Sequence, residues 1–212
     1  MNDLEPILQP VASYYAAKLA AHGATANGVD WNSAASQELR HRQFLRLLEG
    51  APDASVLDLG CGYGDFLRFL RGSGHRGPFI GYDVVPGMIA KAQELHGEAA
   101  DRQWRIGSEP AETVDFVVAS GIFNVKGDAS HECWARYVNV TIDLLARVAR
   151  RGFAFNVLSL VSDPERRRDD LYYADAGALL DHCLGRFGRH VALLHDYGLY
   201  EFTVIVRHSR SA

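Results

Sequence analysis

The feature that most constrains this 212-residue chain is the segment VLDLGCGYGDF at residues 56–66. A short apolar run ends near an acid and is followed by glycines at every second position, Gly60, Gly62 and Gly64, and then by a helical pattern of apolar residues. Because glycine has no Cβ, such a turn lets the backbone approach a ligand closely, and the N–H groups that start the next helix face that ligand. The segment therefore predicts a strand, a glycine turn and a helix that hold a nucleotide-like cofactor at the carboxyl end of a first parallel strand.

The spacing of the glycines distinguishes between classes of cofactor. The dinucleotide fingerprint is G-x-G-x-x-G, whereas this turn reads G-x-G-x-G and has Asp65 at the third-glycine position. Asp58, two residues before the first glycine, adds a second carboxylate. Two carboxylates suit a ligand with hydroxyls and an ammonium group, such as S-adenosylmethionine (SAM), better than one with a pyrophosphate. A nicotinamide or flavin cofactor, or a turn without any ligand, are the less favoured alternatives.

Length, charge and cysteine content narrow the class of protein. The chain is long enough for one α/β domain with its own core, and its net charge of −4 lacks the basic excess typical of nucleic-acid binders. Three cysteines without paired spacing favour a reducing compartment over a disulfide framework or a zinc site. No signal peptide is apparent, and no apolar run approaches the roughly 18 residues of a membrane helix. We expect a cytoplasmic monomer or homodimer that binds no nucleic acid, membrane or metal.

Strand and helix patterns alternate from Ala54 onward, which predicts a parallel sheet covered by helices on both faces. The predicted strands are residues 55–59, 78–83, 103–106, 114–120, 152–158, 189–195 and 200–207, and the predicted helices follow the glycine turn to about residue 71 and span 87–95, 130–149 and 176–186. Only the residues DYGL, 196–199, separate the last two strands, a gap too short for a helix and typical of a hairpin. The seventh strand should therefore return antiparallel beside the sixth.

The chain resembles the class I SAM-dependent methyltransferases over residues 54–207. DLGCGYG at 58–64 is close to the commonest form of that family's first motif, GYDVVPGMI at 81–89 is similar to its GxDxxxxMi segment, and an antiparallel last strand is a hallmark of its sheet. The resemblance implies a Rossmann-like α/β fold, with a seven-stranded, mostly parallel sheet in the order 3-2-1-4-5-7-6 and an antiparallel strand seven. It also implies a SAM-binding domain over residues 51–212. An N-terminal helical cap over residues 1–50 would precede this domain, with helices at 4–22 and 33–49, as a lid or merely as a packing appendage.

The resemblance assigns parts of SAM to particular residues. The glycine turn would carry the aminocarboxypropyl tail with Asp58 as a partner for the ammonium, and Asp83, at the end of strand two, would accept hydrogen bonds from the ribose hydroxyls. Gly107 or Ser108 stands where an acid that contacts the adenine is common in the family. The predicted cofactor contacts are Asp58, Gly60, Cys61, Gly62, Tyr63, Asp83, Val84, Met88, Ser120, Gln37 and Arg42, the last as a cation for the SAM carboxylate.

The acceptor side is less well defined by the sequence. The segment SGIFNVKGD at 120–128 lacks the prolines of the N/D-P-P-Y/F signature that DNA and RNA amino-methyltransferases carry after strand four. Candidate catalytic residues are Asn124, which would polarise the acceptor or only cap a turn, and the possible bases His131 and His195. The polar loop 159–173 should line the acceptor pocket. The candidate substrate contacts are Trp31, Phe123, Tyr172 and Tyr173.

A chain of this length leaves little room for a separate recognition domain. The sequence therefore favours in-line transfer of the SAM methyl group to an oxygen or nitrogen atom of a small molecule, with S-adenosylhomocysteine (SAH) as product. Two alternatives stay open: a protein or RNA methyltransferase that works with a partner subunit, and a SAM-binding pseudo-enzyme.

Overall fold

A computed structural model describes residues 5–208. The strands are β1 Val56–Leu59, β2 Phe79–Asp83, β3 Arg102–Ile106, β4 Val114–Ala119, β5 Ala149–Ser159, β6 Tyr173–Ala174, β7 Val191–Leu194 and β8 Glu201–Arg207. The helices are α1 Glu5–His22, α2 Ala34–Leu48, α3 Asp65–Gly72, α4 Pro86–His96, α5 His131–Val148 and α6 Ala176–Phe187, with short 3-10 helices at Ala26–Val29 and Pro164–Arg166. From β1 onward the predicted alternation of strands and helices is confirmed.

The strands form one sheet in the order β3-β2-β1-β4-β5-β8-β7. The pairs from β3 to β5 are parallel, whereas β8 runs antiparallel to both β5 and β7. Because β7 and β8 are the sixth and seventh predicted strands, this is the expected order 3-2-1-4-5-7-6. Strand β6, which pairs in parallel with Leu158 and Ser159 of β5, is not among the predicted strands, since two residues are too few to show a periodic pattern.

Apolar layers cover both faces of the sheet. One layer packs beneath α1, α5 and α6, and the other beneath α2, α3 and α4. Successive residues of a strand contribute to opposite layers, so that Val56 of β1 joins the second layer and Leu57 the first. Burial on both sides explains why β1 reads as an almost unbroken apolar run.

The two N-terminal helices pack on opposite faces of the sheet. Helix α2 begins after Ser33, which forms a reciprocal capping box with Ser36, and it buries Phe44 and Leu47 in the second apolar layer. Helix α1 contributes to the first layer. Helix α2 is thus part of the domain core, and the boundary at residue 50 stays a prediction. No helix within residues 5–208 combines the length and the apolar character needed to cross a membrane.

Candidate active site

The glycine turn connects β1 to α3 at the carboxyl edge of the sheet. Gly60, Gly62 and Gly64 have φ angles of +79°, +54° and +84°, in the region that glycine adopts more readily than other residues. A Cβ added at Gly60 would lie 2.1 Å from Cγ2 of Ile122. Glycine is therefore required both by the backbone conformation and by the close approach of the loop that follows β4.

A cavity lies over this turn. Its lining comes from the turn, the ends of β1 and β2, the loops after β3 and β4, and helices α1, α2 and α5. Parallel strands bring these distant segments together because their carboxyl ends meet at one edge of the sheet. The predicted cofactor contacts that line it are Asp58, Gly60, Cys61, Gly62, Tyr63, Asp83, Val84, Met88, Ser120 and Gln37. Gly107 and Ser108 line it as well.

Asp83, at the end of β2, ties the turn to the neighbouring strand. Its Oδ2 accepts a hydrogen bond from the Gly62 N–H, and its Oδ1 accepts one from the Val85 N–H, both at 2.8 Å. Burial raises the pKa of Asp83 to about 6, while the two N–H donors act in the opposite direction. Each carboxylate oxygen has a second lone pair, so Asp83 is held in place and can still accept hydrogen bonds from a ligand's hydroxyls.

Asp58, on β1, has a buried oxygen without a partner. The residue is 3% exposed, and its Oδ1 makes no hydrogen bond within residues 5–208. Burial, and to a lesser extent the charge of Asp83, raise the pKa of Asp58 to about 8. A cationic group beside it would favour the ionised form. The orphaned oxygen therefore fits the ammonium group of SAM.

Replacing Asp58 with Asn should remove a pH dependence of stability. A carboxyl whose pKa rises from 3.8 in the unfolded chain to about 8 in the fold contributes stability that is complete below pH 3.8 and is lost as the pH rises towards 8. Above pH 6, where Asp83 is ionised, we expect the free energy of unfolding of the ligand-free protein to fall by up to about 1.4 kcal/mol per pH unit. Urea titrations across this range should show a flatter profile for Asp58→Asn.

The matched control for this experiment is Asp143→Asn, at a surface carboxylate paired with Arg186. In this variant the free energy of unfolding should fall with pH as steeply as in the wild-type protein. Equal slopes for wild type and Asp58→Asn would show that Asp58 is ionised in the ligand-free fold.

Helix α2 presents two polar residues to the cavity, Gln37 and His41, one turn apart. Oε1 of Gln37 accepts a hydrogen bond from the Tyr63 hydroxyl at 3.1 Å. His41 is 4% exposed, and its Nδ1 has no hydrogen-bond partner within residues 5–208 and lies 3.7 Å from Oδ2 of Asp65. Burial lowers the pKa of His41 to about 4. A neutral ring of this kind can donate a hydrogen bond to an anionic group without the cost of burying a charge.

The prediction that Arg42 contacts the cofactor is corrected by the structure. Arg42 lies on the exposed side of α2, where its Nη2 donates to Oε1 of Glu38 at 2.8 Å. Successive residues of an α-helix are rotated by about 100°. When Gln37 faces the cavity, His41 therefore shares its face and Arg42 is turned away.

A second cavity, of about 220 Å³, adjoins the first. Tyr15, Val29 and Trp31 line both. The Trp31 ring lies against Gly121, where an added Cβ would be 2.6 Å from the ring atoms, and the guanidinium of Arg40 stacks on that ring at 3.8 Å from its centroid. Trp31 thus stands at the boundary between the two cavities.

A buried polar network supports this boundary. Nε of Arg40 donates to Oε2 of Glu201 at 2.8 Å, and both side chains are almost completely buried. Oε1 of Glu201 accepts from Nδ2 of Asn156 at 3.0 Å, and Oδ1 of Asn156 accepts from the Gly121 N–H at 2.7 Å. This network could not be predicted from the sequence, because its members come from α2, β5, β8 and the loop after β4, and no local pattern connects them.

Two predicted substrate contacts, Phe123 and Tyr172, lie in the core instead. Phe123 is completely buried and packs against the rings of Tyr137 and Phe155. Tyr172 is 6% exposed, and its N–H donates to the Asn124 carbonyl at 2.8 Å. Both side chains belong to the apolar layer beneath α5, because the loops that carry them cross that layer. The predictions for these two residues are corrected accordingly.

The two histidines proposed as bases also lie away from both cavities. His131 is exposed at the start of α5, and its ring contacts that of Tyr172 in a tilted arrangement, with 4.7 Å between centroids. His195 is exposed after β7, the edge strand of the sheet, and its ring contacts Phe202. Strands β8, β5 and β4 separate β7 from β1 and the glycine turn. These positions correct the assignment of either histidine as a base.

Asn124 and Tyr173 line the second cavity. Oδ1 of Asn124 accepts a hydrogen bond from the Leu158 N–H at 3.3 Å, which fastens the loop after β4 to β5. The hydroxyl of Tyr173 accepts from the Arg168 N–H at 3.0 Å. The amide and hydroxyl groups of these two residues keep donor capacity at the wall of the cavity.

Sequence comparisons agree with this arrangement. The family profile described as "Methyltransferase domain" matches residues 31–131, a range that includes the glycine turn and the Asp83 segment. The Mycobacterium tuberculosis protein Rv1506c, whose name assigns it as a methyltransferase, is 43% identical over 163 residues, which are 77% of this chain and 98% of that protein.

Solved structures share the fold at much lower sequence identity. Magnesium protoporphyrin IX methyltransferase from Synechocystis PCC 6803, with bound SAH, has a TM-score of 0.66 at 14% identity and covers 97% of this chain and 98% of its own. The N-methyltransferase NodS from Bradyrhizobium japonicum WM9 has a TM-score of 0.63 at 18% identity and covers 84% of this chain and 98% of its own. With the glycine turn, the two buried carboxylates and the antiparallel last strand, these relationships show that the chain belongs to the class I SAM-dependent methyltransferases, with SAM as methyl donor and SAH as product.

Proposed function

We propose that the enzyme transfers the SAM methyl group to an oxygen or nitrogen atom of a small molecule bound in the second cavity. The observation that carries this proposal is the wall shared by the two cavities, at Tyr15, Val29 and Trp31. At about 220 Å³ this cavity is somewhat smaller than most small-molecule pockets and too small to enclose a folded partner. The similar magnesium protoporphyrin IX methyltransferase acts on a small molecule by its name, which supports the same class of acceptor.

In this proposal four side chains hold the polar parts of SAM. Asp58 pairs with the ammonium through its orphaned Oδ1, and Asp83 accepts hydrogen bonds from the ribose hydroxyls while its backbone donors keep it in place. Gln37 and His41 donate to the carboxylate from α2 in the role first assigned to Arg42. The cofactor supplies a methyl group already activated on a sulfonium, so the protein's tasks are orientation, charge complementarity and exclusion of water.

We further propose that residues 1–50 act as a lid over the site. Tyr15 from α1 and Trp31 from the segment between α1 and α2 line both cavities. Gln37 of α2 also lines the first cavity. Closure of α1 and of the segment between α1 and α2 would exclude water from the reacting groups, with α2 as the fixed part of this region, while Asn124 and Tyr173 would orient the acceptor.

Labelled SAM and a low-molecular-mass cell extract test the proposed function. We expect a small product that gains one methyl group by mass spectrometry. Asp83→Ala should give much less product than the wild type at a SAM concentration near the wild-type Kd. Label found only in protein or RNA would favour a partner-dependent macromolecular methyltransferase. SAM binding without label in any fraction would favour the pseudo-enzyme.

A further inference from the structure

The second cavity carries three cationic side chains and one carboxylate. Arg40, Arg166 and Arg168 line it together with Asp30. Asp30 already has a cationic partner of its own, because Nζ of Lys18 lies 2.6 Å from its Oδ1. The single carboxylate at this wall is therefore compensated from within the chain.

Two of the three arginines also have hydrogen-bond partners within the chain, but the partners of Arg40 leave one of its nitrogens unused. Arg168 donates through Nε to Oδ1 of Asp170 at 3.0 Å. Arg40 donates through Nε to Glu201 and through Nη1 to the Ser36 carbonyl at 2.9 Å. Its Nη2 makes no hydrogen bond within residues 5–208. The Arg40 guanidinium thus keeps one nitrogen available while stacking on the tryptophan between the two cavities.

Of the three arginines that line the second cavity, Arg166 has the weakest interaction with a carboxylate. Its Nε lies 3.9 Å from Oδ2 of Asp163, beyond hydrogen-bond distance, and its side chain is 69% exposed. Nδ2 of Asn124 likewise makes no hydrogen bond within residues 5–208. The unused capacity of these three side chains consists of N–H donors, since neither a guanidinium group nor an amide nitrogen accepts a hydrogen bond.

We propose that the methyl acceptor carries an oxyanion, a carboxylate or a phosphate, which Arg166, Arg40 and Asn124 hold in the second cavity. This inference rests on the proposed function. Guanidinium groups form charge-assisted, often bidentate hydrogen bonds with planar carboxylates and with phosphates. The remainder of the acceptor would lie on the apolar part of the lining, Val125, Leu158 and Leu171.

Anion binding to the full-length protein saturated with SAH tests this directly. Calorimetric titrations with benzoate and with inorganic phosphate provide the two probes, and the tighter one distinguishes a carboxylate from a phosphate. We expect saturable binding of at least one anion, weakened about fivefold by Arg166→Gln. Arg186→Gln removes a comparably exposed arginine that pairs with Asp143 on the surface, and it should leave the affinity unchanged. Absence of binding by both anions, or equal affinity in the two variants, would overturn the proposal.

Fractionated extracts separate this inference from the proposed function. A low-molecular-mass extract is divided into anionic, neutral and cationic pools before it meets the enzyme and labelled SAM. We expect label in products of the anionic pool, with a higher KM for Arg166→Gln than for Arg186→Gln. Label from only the neutral or cationic pool would overturn the anionic acceptor and leave the proposed function standing. Absence of labelled product from all three pools would contradict the proposed function itself.

Discussion

Replacing Asp83 with Ala should weaken SAM binding by about 2–3 kcal/mol, or roughly 30- to 150-fold. The carboxylate accepts hydrogen bonds from the Gly62 and Val85 N–H groups, and in the proposed site it also accepts from the ribose hydroxyls. Its removal leaves two backbone donors without their acceptor, while the Gly60 and Cys61 N–H groups still bond the turn to the Tyr82 carbonyl of β2. Calorimetry with SAM and with SAH measures the loss.

Two further variants make this experiment specific. Asp83→Asn retains one acceptor oxygen and should lose less affinity than Asp83→Ala. Asp101→Ala removes a half-exposed carboxylate that pairs with Arg71, and it should bind SAM like the wild type. Unchanged affinity in a folded Asp83→Ala variant would mean that the ribose is held by other residues.

Replacing Glu201 with Ala should lower the free energy of unfolding by about 3–5 kcal/mol. Glu201 is 1% exposed and is bonded to Arg40 and Asn156. Burial raises the pKa of Glu201, and the nearby Arg40 opposes this shift. Without Glu201, the Arg40 guanidinium remains in a buried place without its counterion, which is the costly part of such a deletion.

Urea unfolding of a double variant distinguishes a lost ion pair from a general packing defect. Arg40→Met combined with Glu201→Leu removes both charges and keeps most of the side-chain volume. It should therefore be more stable than Glu201→Leu alone, which keeps a similar volume but leaves the buried Arg40 without its counterion. An ordinary surface substitution changes the free energy of unfolding by no more than about 0.5 kcal/mol. A loss of that size for Glu201→Ala would contradict the structural role of this pair.

Much of the lining of the cavity over the glycine turn, where we propose that SAM binds, could be predicted from the sequence. The glycine turn needs φ angles that other residues adopt reluctantly, so its sequence indicates its conformation directly. Asp58 and Asp83 stand at or near the ends of two strands whose apolar runs are visible in the sequence, and parallel pairing brings such ends together at one edge. The hairpin between β7 and β8 was likewise visible in a gap too short for a helix.

Which residues of α2 and of the loops line the two cavities depended on tertiary packing. Arg42 and His41 are adjacent in the sequence, but the orientation of α2 decided that only His41 lines the cofactor cavity. Phe123 and Tyr172 have side chains suited to a pocket, yet apolar burial placed them in the core.

The sequence by itself determined most of the strands and helices, the glycine turn and the placement of Asp58 and Asp83 beside it, because glycine conformations and apolar periodicity act over a few neighbouring residues. The order of the sheet was expected from the family resemblance rather than from these local patterns. Only the tertiary structure decided which residues form the second cavity and join Arg40, Asn156 and Glu201 in one network. The contacts of this network join residues 161 and 45 positions apart and leave no local pattern. They follow from how whole helices and loops pack on the sheet, since each helix turns different side chains inwards according to its rotation about its own axis.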